Sequence, residues 1–187
     1  MVMDTRDTLL NAALATLEDG GEAQFSTRAV CAAAGVTAPT LYHHFGNADG
    51  LLSAAMTTAF EQFLASKLAA STSTDPVTAL REGCDDYVRF AAERPKLYAA
   101  MLGRVLQGAT IPAAEAAFAH MIDQLRAIDA EGRLAVPAAA AADLVWASVN
   151  AAAQLFVTAR FRRAAPPDPA IILSLREQAM RSILAPR

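Results

Sequence analysis

The sequence predicts an all-α protein of about nine helices: an N-terminal three-helix unit containing a helix-turn-helix, followed by a larger helical C-terminal domain. Three observations carry this. Alanine, the strongest helix former, makes up roughly a quarter of the 187 residues. Apolar residues recur at helical spacing over most of the chain, and no strand-like alternation occurs. Gly, Pro and short polar clusters fall where such helices must start and stop.

The first helix is expected over residues 4–19, with Leu9, Leu10, Ala13, Leu14 and Leu17 on one apolar face and Gly20-Gly21 as its stop. Ser26 can cap a short second helix, because its hydroxyl accepts from an otherwise unpaired backbone N–H; Phe25 and Val30 hold the positions of a hydrophobic staple. Gly35 can supply the left-handed residue that ends it. Thr37 is placed to cap a third helix running to about His44, with Pro39 in its first turn and Val36 and Leu41 repeating the staple. Two short helices joined by a tight turn at Gly35-Val36 have the pattern of a helix-turn-helix.

Asn47 can cap a fourth helix reaching about Ala70, whose apolar stripe is Leu51, Leu52, Ala55, Met56, Ala59, Phe60, Phe63, Leu64 and Leu68. At 1.5 Å per residue it spans roughly 35 Å, enough to belong to two structural units. The polar stretch from Ser71 to Pro76 reads as a hinge or loop. Five further helices are expected at about 76–93, 95–107, 112–130, 137–163 and 169–184, separated by Pro95, Gly108 with Pro112, Gly132 with Pro137, and Pro166-Pro167. The domain division expected is 1–50 and 51–187.

Composition narrows the function. Hydrophobic residues make up 54% and charged residues 19%, which excludes a largely disordered chain. The net charge of −3 includes no basic tail, so any DNA binding must come from a local site. Cys31 and Cys84 form no Cys-x-x-Cys pair and read as small buried residues of a cytoplasmic protein. The N-terminus, with Asp4, Arg6 and Asp7, has no signal-peptide pattern. The stretch from Leu134 to Ala159 has Asp143 as its one formal charge, but Pro137, Ser148, Asn150, Gln154 and its many alanines favour a core or interface helix over a membrane span. No phosphate loop, nucleophile elbow or Cys–His arrangement occurs. His120 and Asp123 are two groups, too few for a metal site, and Glu82, Asp85 and Asp86 read as charges on the outer face of the fifth helix. No catalysis, cofactor or metal is expected.

The segment Phe25 to Leu52, FSTRAVCAAAGVTAPTLYHHFGNADGLL, is the informative one. Through Thr27, Ala33-Ala34-Gly35-Val36, Thr40-Leu41-Tyr42, His44-Phe45 and Leu51 it resembles the DNA-binding unit of the TetR family of bacterial transcriptional regulators. About a dozen positions match at fixed offsets, and with the first helix the resemblance covers residues 4 to about 60. Physical reading agrees: Leu41 and Phe45 suit anchoring against Val30, Val36 and the first helix, leaving Ala38, Pro39, Thr40, Tyr42 and His43 at the surface. Thr40 and His43 can hydrogen-bond base edges in the major groove, and Ala38 and Pro39 can pack on thymine methyls. The resemblance implies that Tyr42, Thr27 and His44 touch phosphate. Arg28 and Thr37 complete the expected DNA-facing set, beside helix N-termini whose N–H groups can also hold phosphate.

Two features depart from the family pattern. A Lys is usual at the start of the fourth helix, where this sequence has Ala48 and then Asp49. Residues 1–52 also carry Arg6 and Arg28 against six carboxylates, a net −4, which predicts weak nonspecific binding and a shallow salt dependence.

Further on, Asp86-Tyr87-Val88-Arg89-Phe90-Ala91 and Glu93-Arg94-Pro95-Lys96-Leu97-Tyr98 are similar to C-terminal regions of one TetR subgroup. That subgroup often has Trp followed by His-Gly in the eighth helix; here Trp146 is followed by Asn150-Ala151. The resemblance implies an effector-binding and dimerisation domain. Candidate effector contacts are Phe60, Phe63, Leu64, Tyr87, Tyr98, Met101, Leu102, Phe118, Met121, Ile122, Leu125 and Trp146, with Asn150 and Gln154 as polar groups one turn apart. Each of these residues also suits an ordinary core. The last two helices are expected to form a homodimer through Leu144, Val145, Leu155, Val157, Ile171, Ile172, Leu175, Met180 and Ile183. The function expected is a ligand-responsive repressor that binds a palindromic double-stranded operator as a homodimer and is released by a small, largely apolar effector. The alternative is a ligand-binding or protein-interaction module of the same fold with weak or lost DNA binding.

Overall fold

The computed structural model describes residues 4–70 and 73–186. Ser71 and Thr72 of the expected hinge, and the Leu68 side chain, lie outside the described residues. Nine α-helices occur among them: α1 (Thr5–Gly20), α2 (Thr27–Ala34), α3 (Ala38–Phe45), α4 (Ala48–Ala70), α5 (Pro76–Glu93), α6 (Pro95–Leu106), α7 (Pro112–Ala130), α8 (Ala138–Phe161) and α9 (Ala170–Ile183). The described residues form no strand; an isolated antiparallel bridge joins Leu134 to Leu184. The fold is all-α, as predicted. A single 3-10 turn, Glu22–Gln24, between α1 and α2 was not expected from the sequence.

The chain forms two compact units, one containing the residues up to Phe63 with Lys96–Ala113, the other Leu64–Pro95 with Ala114–Arg187. α6 therefore groups with the N-terminal helices, although the chain enters the second unit before it. In the first unit α1 packs on α2 and α3. Its buried face is the expected one, Leu9, Leu10, Ala13, Leu14 and Leu17, joined by Val30, Cys31 and Leu41. Ser26 Oγ accepts from the Ala29 N–H at 3.1 Å, and Gly35 ends α2 with φ 67° and ψ 30°, a conformation that costs a residue without a Cβ least. Asn47 Oδ1 accepts from the Gly50 N–H at 2.8 Å and caps α4. Gly50 has its own constraint: a Cβ there would stand 2.1 Å from the Phe45 carbonyl oxygen, so the close turn from α3 into α4 requires glycine. Thr37 holds the N-cap position of α3 but makes no capping bond, because its hydroxyl pairs with that of Thr40 at 3.0 Å instead.

In the second unit α8 lies against α5 and α9. The core joins Val77, Leu80, Cys84 and Val88 of α5 to Met121, Leu125 and Ile128 of α7, to the alanines and valines of α8, and to Ala179, Met180 and Ile183 of α9. Val145, Val157, Met180 and Ile183 thus belong to the interior of their own chain, a correction to the dimer face expected above. The face of α8 that stays outward carries Leu144, Ser148, Ala151 and Leu155 at spacings of four, three and four, with Leu144 and Leu155 exposed. α8 is long and apolar enough to cross a membrane by length and composition, yet its other face is packed in this core.

The acidic residues of α5 are also not an outer face. Asp85 and Glu82 are half-buried, Asp85 pairs with Arg176 of α9, and Asp86 pairs with Arg89 at 2.7 Å. Burial pushes the Asp85 carboxyl upward against the pull of Arg176. For Glu177, burial likewise pushes upward, but its ion pairs with Arg81 and Arg176 outweigh it and hold its carboxyl low.

Asp75 caps α5 by accepting from the Thr78 N–H at 2.9 Å and the Thr78 hydroxyl at 2.7 Å, and it also binds Arg133 in the turn after α7. Arg133, followed by Thr78, holds its carboxyl well below the usual carboxylate range. A carboxyl whose pKa is depressed on folding stabilises the fold above its unfolded value, and that contribution disappears as pH falls toward the folded one. Asp75→Asn is therefore expected to lower the thermal midpoint at neutral pH, with the gap to wild type closing below about pH 4. Thermal unfolding of both proteins across that range checks this, and a gap that stayed constant to pH 2 would refute it.

Candidate nucleic-acid interface and effector site

α3 is eight residues long, and one of them, Leu41, is fully buried. That anchor fixes which side chains face outward. Ala38, Pro39, Tyr42 and His43 are exposed, Tyr42 by 45%, and Thr40 and His44 are half-buried. Thr37, just before α3, and Arg28, in the first turn of α2, are exposed, and Thr27 is half-buried. None of the nine residues expected to face DNA is consumed by the core. The imidazoles of His43 and His44 meet edge-on with centroids 5.3 Å apart, and the His44 ring lies 6.2 Å from that of Phe45.

Arg6 of α1 lies outside the DNA-facing set that the sequence predicts. Its guanidinium stands 5.5 Å from the Phe45 ring centroid, which brings a cation to the C-terminal end of α3. Only folding makes that pair visible, since 39 positions separate them in sequence. α6 adds two more cations to the same unit. Lys96 Nζ donates to the Asp19 carbonyl at the end of α1, and Arg104 binds Asp49 in the first turn of α4.

The effector candidates divide between the units. Phe60, Phe63, Tyr98, Met101 and Leu102 lie in the first; Leu64, Tyr87, Phe118, Met121, Ile122, Leu125, Trp146, Asn150 and Gln154 lie in the second. Within the second unit four of them come together. The Trp146 ring meets Tyr87 at 5.8 Å and Phe118 edge-on at 5.9 Å, and the Tyr87 hydroxyl donates to Asn150 Oδ1 at 3.0 Å. The Asn150 amide in turn donates to the Trp146 carbonyl at 2.8 Å. Trp146 and Phe118 are each 38% exposed, whereas Met121 and Leu125 sit in the hydrophobic core and Ile122 packs against it. Gln154 is exposed.

Gln124 escaped the sequence reading. It is buried, and its Oε1 has no hydrogen-bond partner among the described residues, as is also true of Glu82 Oε2. The available signal was an amide between Ile122 and Leu125 on an apolar helix. Buried polar atoms that lack partners often mark a ligand or water position. A small cavity between α5, α8 and α9, lined by Cys84, Ser148, Ile172 and the Asp85–Arg176 pair, has space for about one water. Among the described residues no three His, Cys, Asp or Glu side chains are grouped to hold a metal ion.

Comparison with known proteins agrees with this architecture. The profile of bacterial regulatory proteins of the TetR family matches residues 9–55, and that of the tetracyclin repressor-like C-terminal domain matches residues 80–177. A search of curated proteins found no significant match. Among solved structures, a protein of unknown function from Rhodococcus sp. RHA1 is similar with a TM-score of 0.84 and 21% identity, covering 98% of this chain and 97% of that one. A TetR family transcription regulator from Marinobacter aquaeolei VT8 is similar with a TM-score of 0.72 and 19% identity, covering 97% and 96%. The fatty acid degradation regulator FadR from Bacillus halodurans has a TM-score of 0.74 at 13% identity, covering 96% of each chain.

Proposed function

The chain belongs to the TetR family of bacterial transcription regulators, and on that premise we propose that it is a ligand-responsive repressor acting as a cytoplasmic homodimer. The outward face of α3 carries this reading: one buried leucine holds the helix while Ala38, Pro39, Tyr42 and His43 are exposed, with Thr40 half-buried beside them, as a face that can meet a major groove. Residues 1–50 serve as the DNA-binding domain and 51–187 as the effector and dimerisation domain. Thr40 and His43 read base edges; Ala38 and Pro39 pack on thymine methyls. Tyr42, Thr27, Arg28, Thr37 and His44 hold phosphate. A two-fold dimer presents two such helices to half-sites about 34–36 Å apart.

The effector is small and largely apolar. Trp146, Tyr87 and Phe118 supply ring surface, and Asn150 supplies a polar group that orients the ligand. It releases DNA by binding more tightly to a conformation in which the two recognition helices are misspaced, and it shifts the equilibrium only by that difference in affinity.

The net −4 of residues 1–52 favours a second reading, in which the fold binds ligands or proteins and has lost DNA. Selection of duplexes from a random library, followed by fluorescence anisotropy, separates the two. A repressor enriches a palindromic duplex; the second reading enriches none. On the enriched duplex Tyr42→Ala is expected to weaken binding about tenfold, the effect of losing one phosphate contact and its packing, with the thermal midpoint nearly unchanged because Tyr42 is exposed. Equal affinity in the variant removes Tyr42 from the interface.

A further inference from the structure

Arg104 of α6 makes an ion pair that sequence order does not suggest. Its Nη2 donates to Asp49 Oδ1 at 2.8 Å and to Ser53 Oγ at 2.7 Å. The Arg104 side chain is 16% exposed and that of Asp49 is 71% exposed, so the carboxylate faces water while the guanidinium backs it from within. Asp49 stands in the first turn of α4, four positions beyond the last residue of α3.

The electrostatic consequence follows from where this pair sits. An unpaired carboxylate so close to the recognition helix would lie within one Debye length, about 8–10 Å, of any phosphate that flanks that helix. It would also cancel the positive end of the α4 dipole. The surrounding sequence cannot compensate, because residues 1–52 already carry six carboxylates against two arginines. The neutralising charge comes from outside that stretch.

We propose that Arg104 is a positioning residue for DNA binding: it masks Asp49, so that the start of α4 tolerates a duplex phosphate beside α3. This rests on the DNA-binding reading above. It assigns the missing positive charge at the head of α4 to α6, where Arg104 lies 55 positions beyond Asp49.

The test uses four full-length proteins: wild type, Arg104→Gln, Asp49→Asn and the double variant. Each is titrated by fluorescence anisotropy against the duplex that wild type enriches from a random library, at two salt concentrations. Arg104→Gln is expected to bind about fivefold more weakly, because Asp49 is then unmasked. Asp49→Asn is expected to bind about threefold more tightly than wild type, with a steeper salt dependence, because the Arg104 charge is then uncompensated. The double variant is expected to return to within about twofold of wild type, the limit of ordinary non-additivity. If Arg104 merely ties α6 to α4, the double variant stays at least as weak as Arg104→Gln, and the proposal is wrong. If Arg104→Gln does not fold, Asp49→Asn decides alone: affinity equal to or weaker than wild type overturns the masking. Should wild type enrich no duplex, the DNA-binding reading falls and this inference falls with it. Enrichment by wild type together with indistinguishable variants removes the inference only.

Discussion

Leu41→Ala is expected to destabilise the N-terminal unit by about 2–5 kcal/mol, the range for truncating a fully buried leucine. Leu41 is the one buried side chain of α3, with no accessible surface, in a unit where α3 packs on both α1 and α2. Its loss leaves a cavity beneath an eight-residue helix that has no other buried anchor. Such a cost is a large share of the 5–15 kcal/mol that typically holds a domain together. DNA binding should collapse with it, although no DNA-facing side chain is altered, since the helix that presents them is no longer held. Chemical denaturation followed by anisotropy checks both parts. A variant with the wild-type midpoint would mean that α3 is held by something other than Leu41.

If the chain acts as the proposed homodimer through the outward face of α8, Leu155→Arg is expected to make it monomeric and to weaken operator binding by about 100-fold. A dimer that holds two half-sites at once gains 10²- to 10⁴-fold over a single site. Leu155 is 42% exposed in the single chain, on the same face of α8 as Leu144 and Ala151, so the substitution should leave the thermal stability of the isolated chain almost unchanged. In a two-fold interface the change is made twice, which buries two like charges near each other. Light scattering at micromolar concentration reads the mass. A variant that remains dimeric would move the interface off this face of α8.

The contrast between those two leucines shows how far the sequence could be read. Local signals served well wherever structure is set within a few residues. Ser26, Gly35 and Asn47 act at the helix ends where their chemistry places them, and α7 runs Pro112–Ala130 as its flanking Pro and Gly suggest. The apolar face of α1 is the buried one in full. Thr37 went differently, because a hydroxyl that can cap a helix can equally pair with a neighbouring hydroxyl, and Thr40 was within reach. The expected dimer face narrows for a related reason. Val145, Val157, Met180 and Ile183 are as apolar as Leu144 and Leu155, and composition alone does not say which stripe of a helix meets its own chain.

The sequence by itself determined the all-α class, nearly every helix end, the helix-turn-helix and the outward face of α3. These depend on backbone propensity, capping and periodicity, interactions that close within one or two turns. The tertiary structure alone decided which charges far apart in sequence meet. Arg104 reaches Asp49, Arg133 reaches Asp75 and Arg176 reaches Asp85, pairs separated by 55, 58 and 91 positions. It also joined Tyr87, Phe118 and Trp146 from three helices into one aromatic cluster and grouped α6 with the N-terminal unit. Side chains so far apart in sequence meet only because the packing of helix faces brings their backbones together, and no local pattern encodes that distance.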